Sequence, residues 1–272
     1  MTSFERLKAP AGDALVCPAL AGCAKHLFTT RHWPLGIGAP EAREQAWTAV
    51  AQALDVPTDR LLRIRQVHGA EVLVRRAGRP VDGSAEADIV VTDDPDVALT
   101  VRTADCVPLL LADARTGSVA AAHAGWRGLL LRVPAVTVGA LAREFGSRPD
   151  DLVAAIGPSI GPCCYEIGED VRGQFAAAGF TPSDVSRWFG AEPRPTSANP
   201  SFAGLSAHRR PGHSFLDIWS VARDQLVSVG VPSQQIHVAE LCTASHPSLF
   251  CSYRRDGSGA GRLAAAIRRL RT

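Results

Sequence analysis

Val119-Ala120-Ala121-Ala122-His123-Ala124-Gly125-Trp126-Arg127-Gly128 is the stretch that decides the fold. Val119 to Ala122 reads as a buried strand that delivers His123 to a glycine turn. A helix follows from about Arg127 to Phe145. Pro134 inside it predicts a kink or a late start, because proline has no N–H to donate. The same alternation runs outward in both directions. Leu61–Ile64, Val72–Val74, Ile89–Val91, Ala98–Val101, Leu109–Leu111 and Leu152–Ile156 are short apolar runs bounded by Gly, Pro or Asp, and they read as strands, as does Ile236–Leu241. Glu41–Leu54 puts Trp47, Val50, Ala51 and Leu54 on one helical face with Pro40 beside its start, and Glu169–Ala178 and Leu216–Val229 also read as helices. Paired strands separated by helices predict a single α/β domain, in the mixed α+β sense, with a mixed sheet and flanking helices over residues 1–272. Thr181–Gly212, rich in Pro, Ser, Gly and Arg, reads as a loop insertion within it.

The 272 residues are 46% hydrophobic and 21% charged, within the ordinary range for a chain that buries a core. The 29 Lys+Arg against 27 Asp+Glu leave a formal charge of +2, which gives no reason to expect nucleic acid as a partner. No apolar run approaches the roughly 20 residues of a membrane helix, so no membrane partner is expected. Met1–Pro10 holds Glu5 and no apolar core of a secretory signal, and a cytoplasmic address is the expectation. Seven cysteines, at 17, 23, 106, 163, 164, 242 and 251, suit reduced thiols better than a disulfide framework.

Three segments hold potential chemistry: Gln66-Val67-His68-Gly69, Ala104-Asp105-Cys106-Val107-Pro108, and His123 with its glycine turn. Each sets one metal ligand or nucleophile where a strand gives way to a turn. Two imidazoles and a thiolate are a set that zinc takes when one position stays open. They are equally two members of a cysteine-hydrolase site plus a spare histidine. The separations, 38 and 17 residues, are not those of a zinc finger. Packed histidines and a buried cysteine acting as a small hydrophobe are the bland alternative.

Further segments join these in order: Phe28-Thr29-Thr30-Arg31, Ile156-Gly157-Pro158-Ser159-Ile160-Gly161-Pro162-Cys163-Cys164-Tyr165-Glu166, Cys242-Thr243, and Ser252-Tyr253-Arg254-Arg255-Asp256 with Gly261-Arg262. Together they closely resemble the laccase-domain polyphenol oxidoreductase family, now associated with purine nucleoside phosphorylase activity and with peptidoglycan precursor editing. The resemblance runs over about residues 28 to 267. It implies a cysteine-hydrolase-like α/β fold and a zinc ion held by His68, Cys106 and His123, which are also the expected catalytic residues. It implies cleavage of adenosine, inosine and S-methyl-5′-thioadenosine with phosphate, and adenosine deamination as a side activity. The expected partners are purine nucleosides and phosphate, and the expected assembly is a monomer or small homo-oligomer.

Within the matched motifs, Arg31, Gln66, Arg127, Glu166, Tyr253 and Arg254 are the candidate substrate-binding residues. Arginine suits phosphate because its fork of donors matches the oxyanion. Glu166 and Asp105 are candidate proton carriers or histidine orienters, with turn capping as the alternative. Gly157 and Gly161 form a rigid loop without Walker or Rossmann glycine spacing. The deaminase Cys-X-X-Cys pattern is absent, so deamination requires another ligand geometry. The chain departs from the family after Arg31, where His32-Trp33-Pro34-Leu35-Gly36-Ile37-Gly38 leads quickly into the Glu41 helix, and no substrate contact is assigned there.

Copper is the alternative ion at the same ligands. Multicopper oxidase chemistry is discounted, since eight histidines include no His-X-His pair, and a blue-copper site lacks its axial ligand because Met1 is the sole methionine. Two rivals remain: a cysteine hydrolase of cell-wall precursors with Cys106 as nucleophile and His123 as base, and a metal-binding protein without turnover.

Overall fold

The computed structural model describes residues 3–9, 11–78, 85–205 and 210–271. A first sheet orders β1 (Glu5–Ala9), β2 (Gly12–Val16), β3 (Ala24–Thr29), β15 (Leu263–Arg269), β7 (Ala98–Thr103) and β4 (Leu61–Arg63), antiparallel throughout except for the β7–β4 edge. A second orders β14 (Ile236–Val238), β10 (Leu152–Ile156), β8 (Val107–Asp113), β9 (Val119–Ala124), β6 (Ile89–Thr92) and β5 (Val72–Arg75). It is antiparallel in the middle and parallel at both edges. A small third sheet joins β11 (Glu166–Gly168), β13 (His213–Leu216) and β12 (Phe189–Gly190). The helices are α1 (Pro18–Ala21), α2 (Pro40–Ala53), α3 (Trp126–Leu130), α4 (Val133–Phe145), α5 (Glu169–Ala177), α6 (Pro182–Trp188), α7 (Ile218–Ser228) and α8 (Tyr253–Asp256). The expected mixed α/β domain is what forms.

Side-chain alternation along the central strands explains the layering. In β8, Val107, Leu109 and Leu111 face a core that includes Val138 and Leu141 of α4 and Val221 and Leu226 of α7. The intervening Leu110 and Ala112 join a different core, shared with Leu99 and Val101 of β7 and Ala265 and Ile267 of β15. The two large sheets therefore pack face to face, because each strand buries both its faces. On the far side of the first sheet, Trp47, Val50, Ala51 and Leu54 cover Leu27, Ala98 and Ala264. The result is four layers: helix, sheet, sheet, helix.

Four segments differ from the sequence reading. The helix expected across 127–145 is two, α3 and α4, broken at Arg132 with φ 60°. Pro134 sits in the first turn of α4, where its missing N–H leaves no bond unmade, so it starts a helix instead of bending one. Leu216 belongs to β13, and α7 starts only after Asp217, whose side chain caps the Ser220 N–H. Strand β14 ends at Val238, although the chain beyond it still bridges Ser159 to Cys242. The stretch expected as a loop over 181–212 begins with α6, capped by the Thr181 hydroxyl, and β12; residues 206–209 of it lie outside the described residues.

Candidate metal centre and its cleft

His123 lies near the end of β9, and Cys106 immediately precedes β8. The β8–β9 register pairs Pro108 with His123, which sets Cys106 beside Gly125. By strand alternation, positions 106 and 123 project toward the inter-sheet side at the mouth of the sandwich, in step with Leu110, Ala112, Val119 and Ala121. The Gln66–Gly69 turn, just past β4, brings His68 over the same mouth. The ligand atoms of His68, Cys106 and His123 all lie within 4.8 Å of one another, and the two imidazoles meet edge to face with centroids 4.8 Å apart. His123 is buried, Cys106 half-buried and His68 exposed, so the cluster opens in one direction only. Gly125 leaves room for it: a Cβ there would stand 2.8 Å from the Cys106 Sγ and 3.4 Å from the His68 ring. His68 (φ 62°) and Asp105 (φ 93°) hold left-handed backbone that only surrounding bonds sustain.

Asp88 supplies those bonds at His68, and sequence reasoning did not single it out. The pairing of Ile89 with Ala122 places Asp88 opposite His123, and the His123 N–H donates to the Asp88 carbonyl at 2.8 Å. Its carboxylate, fully buried, takes His123 Nδ1 at 2.7 Å on one oxygen. The other oxygen accepts the backbone N–H groups of Gly69 (2.7 Å) and Val67 (3.1 Å). One carboxylate thus orients His123, leaving Nε2 for a ligand or proton, and clamps the turn that carries His68. Burial opposes ionisation of Asp88, but the bonds from His123, Gly69 and Val67 outweigh it and hold the carboxyl below its usual range. Asp105 ties down the other wall, Thr243 Oγ1 donating to one oxygen and the Arg254 N–H to the other, both at 2.6 Å, although burial prevails and pushes this carboxyl up.

Electrostatics couple the thiol and the imidazole. Burial pushes the Cys106 thiol up, yet the neighbouring His123 and His68 prevail and bring it down to about 6. Burial likewise disfavours charge on His123, but the Cys106 sulfur and the Asp88 carboxylate raise it to about 9. Without a metal, the pair is a thiolate and an imidazolium.

A cleft of about 740 Å³ opens above the three ligands. Gln66, Arg127, Tyr253 and Arg254, four of the six candidate substrate-binding residues, line it. Both polar atoms of the Gln66 amide are spent on the Arg102 backbone, at 2.7 Å each, so Gln66 fixes the His68 turn to β7. Arg127 lies over the Trp126 ring at 4.3 Å, and Arg254 over Tyr165 at 5.2 Å. Two expected residues do not line the cleft. Arg31 is exposed and donates to the Pro247 carbonyl, and the Glu166 carboxylate accepts from Arg210 N (2.8 Å) and Nε (3.0 Å).

Other lining residues were not singled out in the sequence: Tyr165 and Arg262, which stand in matched motifs, and Arg43 and Arg102, which do not, together with Leu35, Gly36 and Ile37 from the segment to which no contact was assigned. Gly36 is required there, since a Cβ would fall 2.5 Å from the Arg262 N. Five arginines face the cleft, and Asp105 is its sole carboxylate among the described residues. Burial pushes the Tyr165 phenol up, so it stays a neutral donor.

The sequence profile described as "Multi-copper polyphenol oxidoreductase laccase" matches residues 38–270. The chain belongs to this family. A relative from Deinococcus radiodurans named purine nucleoside phosphorylase is 34% identical over 275 residues, covering 96% of this chain and 94% of that one. Another so named, from Bacteroides thetaiotaomicron, is 35% identical over 180 residues; the match covers 66% of this chain and only 60% of the relative's length. A third, from an unknown prokaryotic organism, is named adenosine deaminase RL5 and is 33% identical over 227 residues, 81% of this chain and 79% of its own. Among solved structures, hypothetical protein YfiH of Bacillus licheniformis superposes with a TM-score of 0.82 at 28% identity, over 98% of this chain and 99% of that one. Family membership supports a metal-binding role for the centre without choosing between copper and zinc. No helix among the described residues is long and apolar enough to cross a membrane.

Proposed function

We propose that this chain is a zinc-dependent purine nucleoside phosphorylase, acting on adenosine, inosine and S-methyl-5′-thioadenosine, with adenosine deamination as a side activity. The observation that carries the reading is the convergence of two imidazoles and a thiol at the floor of an arginine-lined cleft. The names of the relatives support the same reaction.

The donor set fits zinc. His68, Cys106 and His123 would hold the ion, Gly125 leaves it space, and Asp88 fixes the His123 tautomer. Bound there, zinc supplies a Lewis acid for a phosphate or substrate oxygen. In phosphorolysis a phosphate oxygen bonds to the ribose C1′ while the bond from C1′ to the base breaks, and the base leaves carrying a proton. Arg102 suits the phosphate: like those of Arg43 and Arg127, its guanidinium has no hydrogen-bond or ion-pair partner among the described residues, and Arg262 stands in the same wall. Partial desolvation in the cleft, with the like charges of Arg262 and Arg63, lowers the guanidinium of the surface-exposed Arg102 below its usual value, so an anion there relieves repulsion. The neutral Tyr165 phenol is a hydrogen-bond donor for the departing purine, whose proton comes from the phosphate or solvent, and the exposed Tyr253 ring offers the base a stacking face.

Zinc-reconstituted protein given inosine or adenosine with and without phosphate tests this. Phosphate-dependent release of base and ribose 1-phosphate is expected, and its absence rejects the reaction. A second reading rests on one specific geometry, the chain Cys106–His123–Asp88, which matches a nucleophile, base and orienting carboxylate. In that reading the chain is a cysteine hydrolase, and a covalent acyl adduct on Cys106 would identify it.

A further inference from the structure

Outside the cleft, three more sulfurs converge. Cys163 and Cys164, in the turn after β10, and Cys242, in the extended segment after β14, are each at most 1% exposed. Their Sγ atoms lie within 4.8 Å of one another. No imidazole or carboxylate joins them among the described residues. Polar groups flank the sulfurs. Gly161 N–H points at the Cys242 Sγ at 3.2 Å, and the Ser245 hydroxyl, which donates to the Pro200 carbonyl, stands 3.4 Å from both the Cys163 and the Cys164 Sγ as an acceptor for either thiol. Thiols packed merely as small hydrophobes do not need such partners.

Thiolate sulfur is what ligates a metal, and three thiols this close together can each give up a proton to an arriving ion.

We infer that Cys163, Cys164 and Cys242 form a second metal site, separate from the one in the cleft, which takes monovalent copper. Sulfur-only coordination selects soft ions. Zinc closes a structural site with four ligands, and beyond these three sulfurs the cluster offers only the Ser245 hydroxyl, whereas Cu(I) is content with fewer. On uptake, each thiol that ligates gives its proton to solvent. Half-buried Ser245 lies between the sulfurs and the surface, where the ion would enter.

The test uses full-length Cys106→Ala protein, which lacks the thiol of the cleft, titrated anaerobically with Cu(I) against a chromogenic Cu(I) chelator. One equivalent should be taken from the chelator, and X-ray absorption should show a shell of sulfur alone. Adding Cys242→Ala or Cys164→Ala should lower the Cu(I) affinity at least about a hundredfold, beyond the loss seen on changing an outer-shell group. Circular dichroism melts confirm that these variants are folded. Should a variant not fold, the absorption spectrum of the Cys106→Ala protein decides alone. No uptake, uptake unchanged by Cys242→Ala, nitrogen scattering in the spectrum, preferential zinc binding, or an intact mass showing a disulfide among the three would each overturn the assignment.

Discussion

Replacing Asp88 with asparagine keeps the volume of a fully buried side chain and removes one charge, so it isolates what the carboxylate does. If the amide oxygen stays on the Val67 and Gly69 N–H groups, the new NH2 faces His123 Nδ1 and forces that nitrogen to accept. The proton then moves to Nε2, the nitrogen left for a ligand. If the amide flips, it keeps His123 but opposes two backbone donors with two of its own, and the positive-φ turn at His68 loses its clamp. Either arrangement gives up a charge-assisted bond, about 1.5–3 kcal/mol. An outer-shell carboxylate ordinarily governs 10- to 100-fold in metal affinity or activity, about 1.4–2.7 kcal/mol, so the two scales agree. Zinc affinity measured by chelator competition should fall by that factor, and kcat/KM for nucleoside phosphorolysis with it. Zinc affinity within twofold of wild type in a folded Asp88→Asn protein would refute the clamp.

Gly125→Ala has an ordinary backbone conformation to occupy, but its Cβ meets Cys106 and the His68 ring; activity should drop about 10- to 100-fold while the thermal midpoint of metal-free protein barely moves. Arg102→Ala should raise the KM for phosphate about fivefold and leave the KM for inosine nearly unchanged, read from initial rates at varied phosphate. In metal-stripped protein, Cys106 should alkylate with iodoacetamide at a rate that is high at neutral pH and falls by half near pH 6, because a lowered thiol pKa keeps the thiolate above that value and loses it below. Asp94→Ala strands the guanidinium of Arg75, its partner at 3.2 Å, with both side chains at most 5% exposed; chemical denaturation should show a loss of about 3–5 kcal/mol.

The central strands were legible because their periods are simple: β6, β8 and β10 are short apolar runs between turn residues. By contrast, β15, Leu-Ala-Ala-Ala-Ile-Arg-Arg, gave no strand signal, although it lies in the middle of the first sheet. Alanine carries no strand preference of its own, and burial between the second sheet and α2 overrides that. The same holds at the site. His68, Cys106 and His123 announced themselves by chemistry beside turns, but Asp88 looked like any acid ahead of a strand, and only the β6–β9 register shows that it faces His123. Arg43, Arg102 and Arg262 are remote in sequence, and it is tertiary packing that gathers them into one wall. Arg31 and Glu166 stand in telling motifs too, yet their side chains bond Pro247 and Arg210, partners that only the fold brings near.

Anomalous diffraction at the zinc edge, from crystals of protein loaded with one equivalent of zinc, probes the three-ligand centre most directly. A single strong peak about 2.0–2.1 Å from a nitrogen of His68 and of His123 and about 2.3 Å from the Cys106 sulfur is expected, with the side toward the cleft open to a non-protein ligand. A peak elsewhere, or zinc missing from these three side chains while they stay in their present places, would contradict the account.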